Sequence, residues 1–208
     1  MSKVMRAIAK RALLLTALSA VTVPGWGQSK RTNNSINLQE YTARALRSKF
    51  PNVSLITQDN QTVRFYDDLI KGKIVIIQFM FTKCEELCPM TTPNLVKVQK
   101  ELRKRGAAEK VEMISITVDP VHDRPPVLKE YAERFHVQPG WRFLTGRKAD
   151  IDLIRRNLGV WDPDDKKSEH MNVLTIGREP SGQWIAVEAL AKPDDLAYTV
   201  LRLVVPSK

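Results

Sequence analysis

Residues 73–90 read KIVIIQFMFTKCEELCPM, and their order decides the fold class. Lys73 to Phe81 is a continuous apolar run rich in β-branched residues, the pattern of a strand buried on both faces. The polar stretch TKCEELCP follows it directly. Beyond Pro89 the period changes. Leu95, Val98 and Leu102 recur at helical spacing, while Lys97, Lys100, Glu101, Arg103 and Lys104 take the places of a solvated face. A buried strand, a cysteine-bearing turn and an amphipathic helix to about Arg105 are therefore expected in that order.

Working outward, the alternation continues. Val111 to Val118 (VEMISITV) is a second central strand candidate, ended by Asp119-Pro120. Pro125-Pro126 opens a helix through about Phe135, because proline is tolerated in a first turn. Trp141 to Leu144 reads as a short strand, and Asp150 as the cap of a helix ending near Gly159. Met171 to Ile176 and Trp184 to Val187 form an outer strand pair around Glu179-Pro180-Ser181-Gly182. Asp194-Asp195 opens a last helix, with Leu196, Val200, Leu201 and Val204 inward. Upstream, Val53 to Thr57 is a short strand closed by the turn Asp59-Asn60-Gln61. Strand and helix in alternation, then a hairpin and a helix, predict an α/β domain with a mixed central sheet flanked by helices.

The chain has 208 residues, 43% hydrophobic and 27% charged, which fits one globular domain with a leader and excludes collagen-like or wholly disordered classes. The formal net charge is +10. Lys3, Arg6, Lys10 and Arg11 contribute four of those positive charges, and +6 remains without them. A nucleic-acid-binding arm would be more basic and more clustered, so no nucleic-acid partner is expected. The basic head is followed by ALLLTALSAVTV at 12–23 and by Pro24, Gly25, Trp26 and Gly27. Charge, a short apolar stretch and small residues are the signature of a secretory signal. Residues 1–27 are read as that signal, 28–50 as a polar tether and 51–208 as the domain. Twelve helical residues rise about 18 Å against a hydrocarbon core of about 30 Å, which favours cleavage over an uncleaved anchor. Export implies an oxidising compartment, where paired cysteines carry redox meaning.

Cys84 and Cys88 are the chain's two cysteines. A disulfide between them would add little stability: closing a five-residue ring is worth roughly 2 kcal/mol, against about 4–5 for a long loop. The pair therefore reads as redox-active, metal-binding, or both. Helix N-terminal amides and Lys83 favour thiolate, whereas Glu85 and Glu86 oppose it. Two thiolates are soft ligands suited to Cu(I) or zinc, with room for a third donor. Three histidines are available. His136 falls at the end of a helix, His122 in a loop after Asp119-Pro120, and His170 just before an apolar strand, where a loop can carry it over the cysteines.

FMFTKCEELCPMTTPNL resembles the cysteine loop of the Sco/SenC family, C-x-x-x-C-P after a buried strand. Val118 to Pro125 (VDPVHDRP) resembles that family's second motif, continued by Leu128 and Tyr131. Glu169-His170-Met171 is similar to the site of its distal histidine. The resemblance runs from about residue 50 to 204. It implies a thioredoxin-like fold, with Cys84, Cys88 and His170 as ligands of one copper ion and Asp119 as an acidic group beside them. It further implies delivery of copper to the dinuclear copper centre of a respiratory oxidase, or reduction of that centre's thiols. The partner would be a copper-receiving oxidase subunit or another copper carrier. The implied location is the periplasm, free or tethered to the inner membrane by the leader. An exported thiol–disulfide oxidoreductase, with Cys84 attacking and Cys88 resolving, is the alternative. Peroxide reduction would call for an arginine beside the thiolate, and the cysteine loop contains none.

Overall fold

The structure, a computed structural model, describes residues 50–85, 88–161 and 172–204. Its centre is a seven-stranded mixed sheet. In chain order the strands are β1 (Ser54–Thr57), β2 (Thr62–Arg64), β3 (Ile74–Met80), β4 (Val111–Thr117), β5 (Trp141–Gly146), β6 (Val173–Arg178) and β7 (Gln183–Glu188). In space they run β2-β1-β5-β4-β3-β6-β7. The three central strands are parallel to one another, and both flanks are antiparallel. The carboxyl ends of β3, β4 and β5 therefore share one edge, where loops of an open parallel sheet collect functional groups.

β3 is buried along its whole length, as a strand between two helical layers must be. Its side chains alternate between two cores. Ile76 and Met80 pack with Leu95, Leu102, Leu128, Trp141 and Val200, under the helices α1 (Cys88–Lys104), α2 (Pro125–Arg134) and α4 (Pro193–Val204). Val75, Ile77 and Phe79 pack with Leu55, Phe65, Ile114, Leu144 and Ile154, under α3 (Lys148–Asn157). Gln78 is a polar exception within the first layer. Its Oε1 accepts from the Ser115 hydroxyl at 3.2 Å, and that hydroxyl accepts from Trp141 Nε1 at 2.9 Å.

The expected central strands and helices are all present, with four differences. The first two are additions, β2 and a π-helical turn at Phe65–Ile70. β2 has three residues and one buried side chain, too few for a periodic signal. The π turn carries Phe65, Leu69 and Ile70 inward, and the Lys71 N–H donates to the Tyr66 carbonyl at 2.9 Å, five residues back. Asp150 is not a cap. It lies in the first turn of α3, where its carboxylate accepts from Arg147 at 2.7 and 2.9 Å. Finally, the helix starts earlier than the change of period at Pro89, so the cysteine-bearing turn is divided: Cys84 stays in the loop after β3 and Cys88 begins α1. The final pair of strands matches the expected hairpin, although Met171 lies outside the described residues.

Candidate metal and thiol site

The cysteines sit where the apolar run ends. β3 stops at Met80, and the chain leaves the sheet through Phe81, Thr82 and Lys83. The Cys84 N–H donates to the Phe81 carbonyl at 3.2 Å, which closes a tight turn. The Cys88 N–H then donates to Cys84 Sγ at 3.4 Å, so the first sulfur rests on the opening turn of α1. Helix N-termini have spare amides and a positive dipole end, and both suit a sulfur that becomes anionic. Pro89 has no N–H to leave unpaired there. The thiols are unbridged.

Both cysteines are buried, Cys84 at 8% and Cys88 at 1% exposure, and both belong to the core layer beneath α1 and α2. Lys83 and Glu85 on either side of Cys84 are exposed. Burial therefore competes with the helix terminus for control of the thiols, and at Cys88 burial wins. Loss of solvent pushes its thiol up to about 12, a backbone hydrogen bond at Phe81 opposes the rise, and Cys84 and the Asp123 charge add to it. Burial thus holds Cys88 as the neutral thiol near pH 7, and a soft metal ion binding there displaces its proton.

Tyr131 forms the side wall. Its hydroxyl is 2.9 Å from Thr92 Oγ1 on α1. Burial drives the phenol well above its ordinary value, the Thr92 bond opposes this, and negative charge on the Cys88 and Cys84 sulfurs adds to the rise. The phenol therefore stays protonated beside the sulfurs.

Asp119, implied as an acidic group beside the cysteines, pairs with a histidine, its Oδ2 lying 3.0 Å from Nδ1 of His122. Asp123, 1% exposed, reaches the turn before the cysteines. Its Oδ2 accepts from the Thr82 N–H at 3.0 Å, and its two oxygens accept from the Thr82 and Thr117 hydroxyls. One carboxylate thus ties the turn before Cys84 to the end of β4. Asp123 is a positioning residue that the sequence reading includes in the VDPVHDRP motif without giving it a role. The available signal is a second Asp four places after Asp119, but its burial depends on β3 and β4 being neighbours.

Of the three histidines, His122 is exposed and paired with Asp119. His136 is exposed at the end of α2, in a left-handed conformation with φ 53°. His170 lies outside the described residues. Among the described residues no group of three or more His, Cys, Asp or Glu could hold a metal ion. The sulfurs of Cys84 and Cys88 are the two donors placed together here, and their softness fits Cu(I).

Residues 41–176 match the SCO1/SenC family model. The chain is 36% identical over 90 residues to the SCO1 protein homolog of Bacillus subtilis (strain 168), covering 43% of this chain and 45% of that protein. It spans about half the length of that relative and of the SCO2-like protein of Rickettsia felis. Among solved structures, yeast Sco1 superposes with a TM-score of 0.63 at 25% identity, covering 77% of this chain and 97% of that one. ScoI of Arabidopsis thaliana, with copper bound, superposes with a TM-score of 0.58 at 25% identity, covering 73% and 94%. The fold is the thioredoxin-like fold of these proteins. With a match over well over half its length that includes the cysteine turn at the end of β3, the chain belongs to the SCO1/SenC family.

Proposed function

We propose that this protein is a copper-binding metallochaperone that supplies copper to the dinuclear copper centre of a respiratory oxidase, or keeps that centre's thiols reduced. The observation that carries the reading is the pair of unbridged sulfurs on one turn, Cys84 in the loop and Cys88 opening α1. The copper held by the Arabidopsis relative supports it. Cys84, Cys88 and His170 are the proposed ligands: two thiolates to hold Cu(I) and an imidazole brought in from the segment before β6. Copper is cargo here, and a partner takes it by ligand exchange starting at Cys84, the more accessible sulfur. The recipient is an oxidase subunit or another copper carrier. Residues 1–27 act as an export signal and 28–50 as a tether, placing the domain at 51–208 in the periplasm, free or held at the inner membrane. No helix among the described residues is long and apolar enough to cross a membrane.

The same pair supports thiol–disulfide exchange as the second reading. Cys84 attacks a target disulfide and Cys88 resolves the mixed disulfide, leaving a Cys84–Cys88 bridge and two target thiols. The greater accessibility of Cys84 favours that order. Anaerobic Cu(I) competition titration of the reduced protein separates the readings. Copper delivery expects tight one-to-one binding, lost in Cys84→Ser and weakened in His170→Ala. A folded protein with two free thiols and no tight site would shift the assignment to thiol exchange.

A further inference from the structure

At the carboxyl ends of β4 and β5, on the same edge of the sheet as the cysteine turn, lies an open groove of about 860 Å³. Its floor is the outer flank of the sheet. Ile56 and Thr145, which face each other across β1 and β5, line it, and Pro120 of the loop after β4 borders it. Three arginines from three separate elements stand around it: Arg64 at the end of β2, Arg124 before α2 and Arg147 before α3.

Two of the three guanidiniums of the groove carry charge that no carboxylate among the described residues pairs with directly. Arg147 gives two of its donors to Asp150, the one carboxylate among the lining residues, while at the rim Asp68 accepts from the Arg64 N–H and Asp67 from the Asn52 amide. Arg64 and Arg124 are exposed, and among the described residues neither guanidinium has a hydrogen-bond or ion-pair partner. Arg124 and Arg147 are also the N-cap residues of two ten-residue helices, whose positive dipole ends add to the same field. Arginine forks suit carboxylates in paired geometry.

The size and the floor select the occupant. A single small anion would leave most of the volume unused. Positive groups on three elements, with apolar surface between them, suit an extended segment in which carboxylates alternate with apolar side chains. The loop from Pro120 to Arg124 contains Asp123, whose carboxylate holds the Thr82 turn two residues before Cys84. The groove and the cysteine turn thus open on the same edge of the sheet and are joined through this one loop.

We infer that this groove is the docking site for an acidic–apolar segment of the protein that exchanges copper or electrons with Cys84 and Cys88. The inference rests on the function proposed above. Arg64 and Arg124 supply the specificity, and Arg147, held by Asp150, supplies a fixed wall.

The test uses the reduced full chain and a fluorescently labelled synthetic octapeptide alternating aspartate and glutamate with valine and leucine. Binding is followed by fluorescence anisotropy at low ionic strength. The Arg64→Ala/Arg124→Ala protein should bind the peptide about tenfold more weakly than wild type. Arg134→Ala/Arg202→Ala removes the same charge elsewhere and should leave affinity within about twofold, as expected of solvated surface charges. Equal losses in the two double variants would overturn the site. So would inorganic phosphate or citrate competing as strongly as the peptide does, which would mark a small-anion pocket. Cu(I) titration of Arg64→Ala/Arg124→Ala keeps docking apart from metal binding. Wild-type stoichiometry is expected, and loss of copper binding in this variant would overturn the assignment of the arginines to docking.

Discussion

The chemistry of this site turns on a contest at single sulfurs. A helix terminus favours thiolate and a hydrophobic layer opposes it, and Cys88 shows the second force prevailing. Its thiol is pushed from 9.0 to about 12, chiefly by burial. Such a shift is also a statement about folding. The folded state holds the proton more tightly than the unfolded chain, so this contribution is fully present below about pH 9 and disappears as pH rises towards 12. Three units correspond to at most on the order of 4 kcal/mol. Denaturant unfolding of the reduced protein should therefore show a steeper loss of stability between pH 9 and 12 than the Cys88→Ala variant, which has nothing to titrate at that position. Parallel pH curves for the two proteins would mean that burial does not hold this thiol neutral. Asp123 belongs to the same scale. Replacing it would remove both a negative charge near Cys88 and the acceptor for Thr82, so its effects on acidity and on geometry arrive together.

At the scale of elements, the hairpin β6–β7 supports the site from the far side of β3. β6 is antiparallel to β3 and places Leu174 opposite Gln78 and Ile176 opposite Ile76. It also follows directly from the segment that carries His170, so its register sets where that segment enters the fold. The register depends on Gly177, which faces Trp184 across β6 and β7. A Cβ at 177 would meet the indole at 1.9 Å from Cε3 and 2.3 Å from Cδ2. Trp184 cannot swing away freely, because it is buried and its ring centroid lies 4.4 Å from that of Phe50. Gly177→Ala should thus destabilise the domain by about 1–3 kcal/mol through overpacking. Adding Trp184→Leu should recover part of the loss, since the two residues share one space. Additive losses in the double variant, measured by thermal or denaturant unfolding, would show that the indole is not what the new methyl meets.

At the scale of the whole molecule, most of the fold is legible in the sequence because its central strands are continuous apolar runs and its helices are amphipathic. Both patterns are local. β2 and the π turn escape such a reading because three residues and one irregular turn carry no period. The site is legible in part for the same reason. Cys84 and Cys88 are four residues apart and announce themselves, whereas Asp123 gains its role only when β3 and β4 lie side by side. The same distinction between local and folded-in groups yields a thermodynamic prediction. A ligand stabilises a protein only by its preference for the folded over the unfolded chain. Cys84 and Cys88 remain within reach of one ion even when the chain unfolds, so the pair alone gives Cu(I) little such preference. His170 is distant in sequence and, as the proposed third ligand, joins the cysteines only in the folded state. Cu(I) should then raise the melting temperature of the wild type clearly and that of His170→Ala hardly at all. A ligand at a hundred times its dissociation constant can supply about 2.7 kcal/mol, and the two thiols retained by the unfolded chain reduce that figure. For a domain of this size each kcal/mol moves the melting temperature by about 2–4 °C, which calorimetry under anaerobic conditions resolves readily. An equal rise in the wild type and in His170→Ala would place the third donor elsewhere in the fold.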